Sequence, residues 1–122
     1  MTPPTDCVIN VDEHDFAQKV IEESHHRPVI VDFWAEWCGP CRSLTPLLER
    51  VVRSYEGAVL LAKVEADENM RLAGHYRLRG FPTCLLFSGG EVQGHFTGMK
   101  PEHFLREFID NKGPHKLDNK SH

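Results

Sequence analysis

The sequence predicts an α/β fold, a five-stranded mixed sheet flanked by helices on both faces, in the order β-α-β-α-β-α-β-β-α. Three observations carry this. The run VIVDFW at Val29–Trp34 is almost continuously β-branched or aromatic, as expected of a central strand buried on both faces. The first half of the chain alternates strand-like and helix-like segments, which implies right-handed parallel crossovers. The second half holds two strand-like runs joined by Ser88-Gly89-Gly90-Glu91, a hairpin signal that implies antiparallel pairing.

The elements follow in order. Residues 1–6 read as a frayed start, and 7–11 as a short first strand. Asp12 is a candidate helix N-cap, with Glu13 and Asp15 in the first turn. The helix after it would bury Phe16, Ala17, Val20 and Ile21, and Arg27-Pro28 ends it. After the strand Val29–Trp34, a helix carries Leu44, Leu47, Leu48, Val51, Val52 and Tyr55 on one stripe. Pro46 falls inside that stripe and predicts a kink, because it removes a donor and crowds the preceding turn. Residues 58–65 read as the third strand and 69–76 as a short helix. The fourth strand spans 83–87 and the fifth 92–97. Pro101 suits the first turn of a last helix whose apolar face is Phe104, Leu105, Phe108 and Ile109. The domain therefore covers 7–111, and 112–122 reads as a disordered polar tail.

Composition narrows the function. The chain has 122 residues, 40% hydrophobic and 26% charged, enough for one domain with its own core. The net charge is −4 and no dense Lys/Arg block occurs, so neither nucleic acid nor a membrane surface is an expected partner. The apolar run at 58–62 is too short to cross a bilayer, and the start lacks the pattern of a signal peptide. A cytoplasmic location is the resulting expectation.

The cysteines are Cys7, Cys38, Cys41 and Cys84. Two structural disulfides would suit a small secreted protein, which this chain does not resemble in size or start. Zinc would need a second close ligand pair, and adjacent His25 and His26 lack the usual spacing, so no metal is expected. Trp37-Cys38-Gly39-Pro40-Cys41 instead lies directly after the buried strand and opens a helix. Two sulfurs at that spacing can reach bonding distance. The free N–H groups and partial positive charge of a helix start favour a thiolate on the first, and the thiolate is the nucleophile. Pro40 stiffens the two-residue loop, and Gly39 lets another backbone approach. Cys38 is expected to be the exposed thiol and Cys41 the deeper one. The context reads as a redox pair.

The stretch VDFWAEWCGPC at 31–41 resembles the active-site signature of the thioredoxin family. Gly80-Phe81-Pro82-Thr83 resembles its cis-proline loop, and Gly89-Gly90-Glu91 followed by Gly98 its final hairpin. The likeness runs through 7–111 in order and spacing and implies the thioredoxin fold. It also implies protein disulfide reduction, in which Cys38 attacks a client disulfide and Cys41 resolves the mixed disulfide. No bound cofactor is implied beyond the Cys38–Cys41 disulfide. The dithiol would be restored by a thioredoxin reductase, a flavoprotein (FAD) fed by NADPH. The other partners would be disulfide-containing client proteins, met by a monomer.

Asp32 is the one charge inside VIVDFW. It either tilts to solvent or into a salt bridge, or, as the resemblance implies, serves as a buried acid/base for Cys41. Lys63 interrupts the third strand in the same way. It could snorkel to the surface or, as the resemblance suggests, pair with Asp32. The resemblance makes the Phe81–Pro82 bond cis and lines a client groove with Trp37, Gly39, Pro40, Gly80, Phe81, Pro82, Gly98 and Met99. An extended client segment could add there as a strand. Cys84 reads as a buried inert thiol, while Cys7 at the chain's edge could be exposed. His75, His95 and His103 are scattered and read as solvated.

Two other functions compete. One is a thioredoxin-fold binding or chaperone-associated module without turnover, which would not need both sulfurs. The other is an oxidase or isomerase, against which the Gly39-Pro40 dipeptide argues, since the resemblance links it to reducing members.

Overall fold

β2 (Val29–Trp34) lies at the centre of a five-stranded sheet in the computed structural model, which describes residues 7–112. The other strands are β1 (Val8–Asn10), β3 (Leu60–Glu65), β4 (Thr83–Ser88) and β5 (Glu91–Thr97), and the order across the sheet is β1-β3-β2-β4-β5. β3 pairs parallel with both β1 and β2, while β2–β4 and β4–β5 are antiparallel. The sheet is therefore mixed, with the parallel crossovers in the first half and the hairpin in the second. The expected frayed start and most of the expected tail lie outside the described residues. Lys112, placed in that tail by sequence, still belongs to the last helix.

The period-two alternation of β2 sorts its side chains onto two faces. Val29, Val31 and Phe33 enter a core with Phe16, Val20, Leu60, Ala62, Val64, Leu85 and Phe87. Ile30 enters the opposite core, built against helices α1 (Gly39–Arg53) and α3 (Glu102–Lys112) with Leu44, Leu48, Leu61, Leu86 and Leu105. Asp32 shares the parity of Ile30 and so lies on the face that α1 covers. The register sets Asp32 between Lys63 on β3 and Cys84 on β4.

α1 runs unbroken through Pro46. An internal proline costs about 3 kcal/mol. Leu44, Leu48, Val51 and Val52 are each fully buried along the same helix, and each such side chain contributes roughly 1.5–3 kcal/mol. Burial outweighs the lost bond, so the helix persists. β3 starts at Leu60 rather than 58, because Glu56 and Gly57 both take positive φ (54° and 92°) where the chain leaves α1.

The first helical segment differs from expectation. It is a π-helical stretch, Ala17–Glu22, followed by a 3₁₀ turn, Glu23–His25. Phe16, Val20 and Ser24 are buried, while Ala17 is exposed and Ile21 half-buried. Bonding from i to i+5 widens the turn, and Phe16, Val20 and Ser24, four residues apart, are the positions that face the core. Asp12 does not cap this helix, whose N-cap is Phe16 without a side-chain bond; its carboxylate instead accepts from the N–H groups of His14 and Asp15 in the preceding turn, and Asp15 accepts from the N–H of Asp12. The short helix α2 (Met70–His75) follows β3. Among the described residues no helix is long and apolar enough to cross a membrane.

Candidate active site

The chain leaves β2 at Trp34 and enters α1 at Gly39, and Cys38 is the N-cap between them. Its backbone is extended (φ −91°, ψ 109°), and its Sγ accepts the backbone N–H of Cys41 at 3.1 Å. Pro40 occupies the first turn, where a missing N–H costs nothing. Cys38 and Cys41 are joined in a disulfide with Cα atoms 5.4 Å apart. The expected exposure of Cys38 is not found: both cysteines are 3% exposed in the disulfide form. Ala35, Trp34 and Phe81 pack around them. The difference between the two sulfurs lies in their backbone positions, since Cys38 alone sits at the helix start.

The rim above the disulfide is apolar and open. Trp37 is 66% exposed, its Nε1 donates to Asp67 Oδ2 at 3.0 Å, and its ring meets Phe81 edge-on at 5.7 Å. A side chain at Gly39 would meet nothing within 4 Å. The Phe81–Pro82 peptide is cis. Gly98, at φ +93°, donates its N–H to the Pro82 carbonyl at 2.8 Å, and Met99 beside it is 44% exposed. Gly80 accepts from Thr83 Oγ1 through its carbonyl, which tightens the loop.

Asp32 is fully buried on the face of β2 that α1 covers. Thr45 donates its hydroxyl to Asp32 Oδ2 at 2.8 Å, and the Cys84 sulfur stands 3.9 Å from Oδ1. Desolvation pushes the Asp32 pKa up to about 6; the Thr45 bond, the Lys63 charge and Cys84 pull it down, and the Glu49 charge pushes it up. Lys63 does not pair with Asp32 as the resemblance suggested. Its ammonium donates to Glu49 Oε2 at 2.8 Å, because α1 brings that carboxylate over the strand while Asp32 lies deeper. Burial and the neighbouring Asp32 also push the Cys84 thiol well above its ordinary value. Cys7, which could have been exposed, is buried as well. His75, His95 and His103 are exposed and apart from the site.

A cleft of about 880 Å³ opens beside the disulfide and is lined by Trp37, Cys41, Thr45, Lys63 and Asp67 among others. Thr45, Glu49 and Asp67 were not among the site residues read from sequence. A signal for the first two exists: Cys41, Thr45 and Glu49 follow at i, i+4 and i+8, one position beyond the apolar stripe of Leu44 and Leu48. Nothing local marks Asp67.

The family model described as Thioredoxin matches residues 7–111. The chain belongs to the thioredoxin family. A thioredoxin of Pseudomonas aeruginosa is 39% identical over 103 residues, covering 84% of this chain and 94% of its own. A thioredoxin of Chlorobaculum thiosulfatiphilum is 38% identical over 98 residues, with 80% and 89% covered. A thioredoxin of Acidithiobacillus ferridurans is 37% identical over 108 residues, with 88% and 98% covered. With its five-stranded mixed sheet and a cysteine pair at the start of α1, the protein has the thioredoxin fold and is a dithiol–disulfide oxidoreductase of the thioredoxin type.

Proposed function

We propose that this thioredoxin-family protein reduces disulfides in client proteins, with Cys38 as the nucleophile and Cys41 as the resolving thiol. The observation that carries the reading is Cys38 at the N-cap of α1, bonded to Cys41 one turn on. In the dithiol form, the N–H of Cys41 and the helix start favour a thiolate on Cys38. That thiolate attacks a client disulfide, forming a mixed disulfide and releasing one client sulfur. Cys41 then forms its bond to Cys38 and releases the second client sulfur. Asp32 accepts the Cys41 proton, and Lys63 acts on Asp32 through its charge. The client lies across Trp37, Gly39, Pro40, Gly80, Phe81, Pro82, Gly98 and Met99, its backbone paired with the loop before β4.

The chain itself supplies the redox group, a pair of sulfurs. NADPH and FAD belong to the partner, a thioredoxin reductase that restores the dithiol. The protein works as a monomer in the cytoplasm, on protein clients rather than on nucleic acid or membranes. The test is reduction of insulin, followed by turbidity. Wild type accelerates it over free dithiol and Cys38→Ser abolishes it, while Cys41→Ser traps a mixed disulfide at Cys38. Full activity in Cys38→Ser would overturn the assignment.

A further inference from the structure

Cys41, Thr45 and Glu49 form one line along α1, each four residues beyond the last. Each meets a different part of the site. Cys41 holds the disulfide, Thr45 donates to Asp32 Oδ2 at 2.8 Å, and Glu49 accepts from Lys63 Nζ at 2.8 Å. Asp32 is fully buried, whereas Thr45 is half-buried and lines the same cleft as Cys41. The Thr45 hydroxyl thus joins the buried carboxylate to the cleft. A helical threonine commonly returns its proton to a carbonyl of the preceding turn. Here that proton is directed at Asp32, and the hydroxyl oxygen keeps lone pairs with which to accept another.

We propose that Thr45 is a positioning residue for the exchange reaction, holding Asp32 ionised and passing the Cys41 proton to it. The inference rests on the roles of Cys38 and Cys41 proposed above. In the resolving step the Cys41 S–H proton moves to the Thr45 oxygen, directly or through one cleft water, as the Thr45 proton moves to Asp32 Oδ2. The Cys41 sulfur then bonds Cys38 Sγ. The bond from Cys38 to the client breaks, and its electron pair leaves on the client sulfur. Thr45 ends unchanged and Asp32 ends protonated.

The other groups that act on Asp32 come from every neighbouring element. Lys63 of β3 favours its charge and Glu49 of α1 opposes it. These two are bonded to each other, so their effects on Asp32 offset. Cys84 of β4 faces Oδ1 at a long 3.9 Å, and Cys41 and Cys38 occupy the start of α1 above. The Thr45 bond is the short contact that favours the carboxylate.

A chromogenic aryl disulfide tests this in single-turnover mixing, because it releases one coloured thiolate on attack by Cys38 and a second on displacement by Cys41. Both phases are followed across pH, and the Asp32 carboxyl is titrated by carbon NMR in the reduced protein. Thr45→Val keeps the shape and removes the hydroxyl. It should slow the second phase several-fold, with the first phase still present, and raise both the acid limb of the second phase and the Asp32 titration by roughly one pH unit. Thr45→Ala should shift both in the same direction, and Thr45→Ser should restore both. A second phase with wild-type rate and pH profile in Thr45→Val would overturn the inference, as would a Thr45→Ser variant no better than Val. Absence of the first phase in wild type would instead overturn the reading of Cys38 on which it rests.

Discussion

Lys63 on β3 is bonded to Glu49 on α1, and Asp32, its direct partner in the strand register, is left to Thr45. The ammonium acts on Asp32 by charge alone, against the opposite influence of Glu49. Glu49→Gln should therefore lower the Asp32 pKa below about 6, and Lys63→Met should raise it above that value. Carbon NMR titration of the Asp32 carboxyl in the two variants reads this. Shifts in the same direction would contradict the arrangement.

Asp32 also makes stability depend on pH. Its folded pKa is raised to about 6 by burial, from an unfolded reference of about 3.9. Between those values the folded protein holds the proton and the unfolded chain does not. Stability falls as pH rises through this window, and the full penalty persists above it. Asp32→Asn keeps an acceptor for Thr45 and removes the titration. Denaturant melts should show the variant more stable than wild type near pH 8, by up to about 3 kcal/mol, with the advantage fading towards pH 4. Client reduction by the same variant should slow. A variant no more stable than wild type at pH 8 would show that Asp32 stays ionised at little cost.

Trp37 is exposed yet held in place, by Asp67 at its indole N–H and by Phe81 at its ring. Such a placement suits contact with a client more than support of the core. Trp37→Ala should raise KM for a protein disulfide about fivefold or more, the equivalent of roughly 1 kcal/mol of lost contact. Folding stability should change by less than about 0.5 kcal/mol. Asp67→Asn should give a smaller loss in the same direction. A large drop in stability with unchanged KM would make Trp37 structural.

Cys7 and Cys84 are both buried, and Cys38 and Cys41 are closed in a disulfide. The oxidised protein should take up almost no iodoacetamide under native conditions. After reduction near neutral pH, mass mapping should find label first on Cys38, because the helix start favours its thiolate. Cys84 should be the slowest, since burial and Asp32 hold its thiol protonated. Prior labelling of Cys84 would reverse that order.

The sequence by itself determined the fold class, the five strands and the place of the cysteine pair. These follow from local facts: the short β-branched and aromatic run VIVDFW reads as a buried strand, the apolar stripe from Leu44 to Val52 reads as a core-facing helix, and Cys38 and Cys41 lie between the two. Even the proline inside α1 did not break the helix, because the stripe around it buries more than the proline costs. The tertiary structure decided what local pattern cannot encode. The π-helical form of 17–22 is not encoded in the local apolar pattern, and it appears where Phe16 and Val20 pack against one face of the sheet. The partner of Lys63 depends on how α1 lies over β3, a long-range packing outcome that placed Glu49 nearer than Asp32. Thr45 lies on the line of Cys41 and Glu49 along α1, and its hydroxyl acquires meaning only where α1 crosses the buried carboxylate of β2. Periodicity along one chain fixes which side of an element faces inward, whereas the pairing of polar groups is set by distances between elements far apart in sequence.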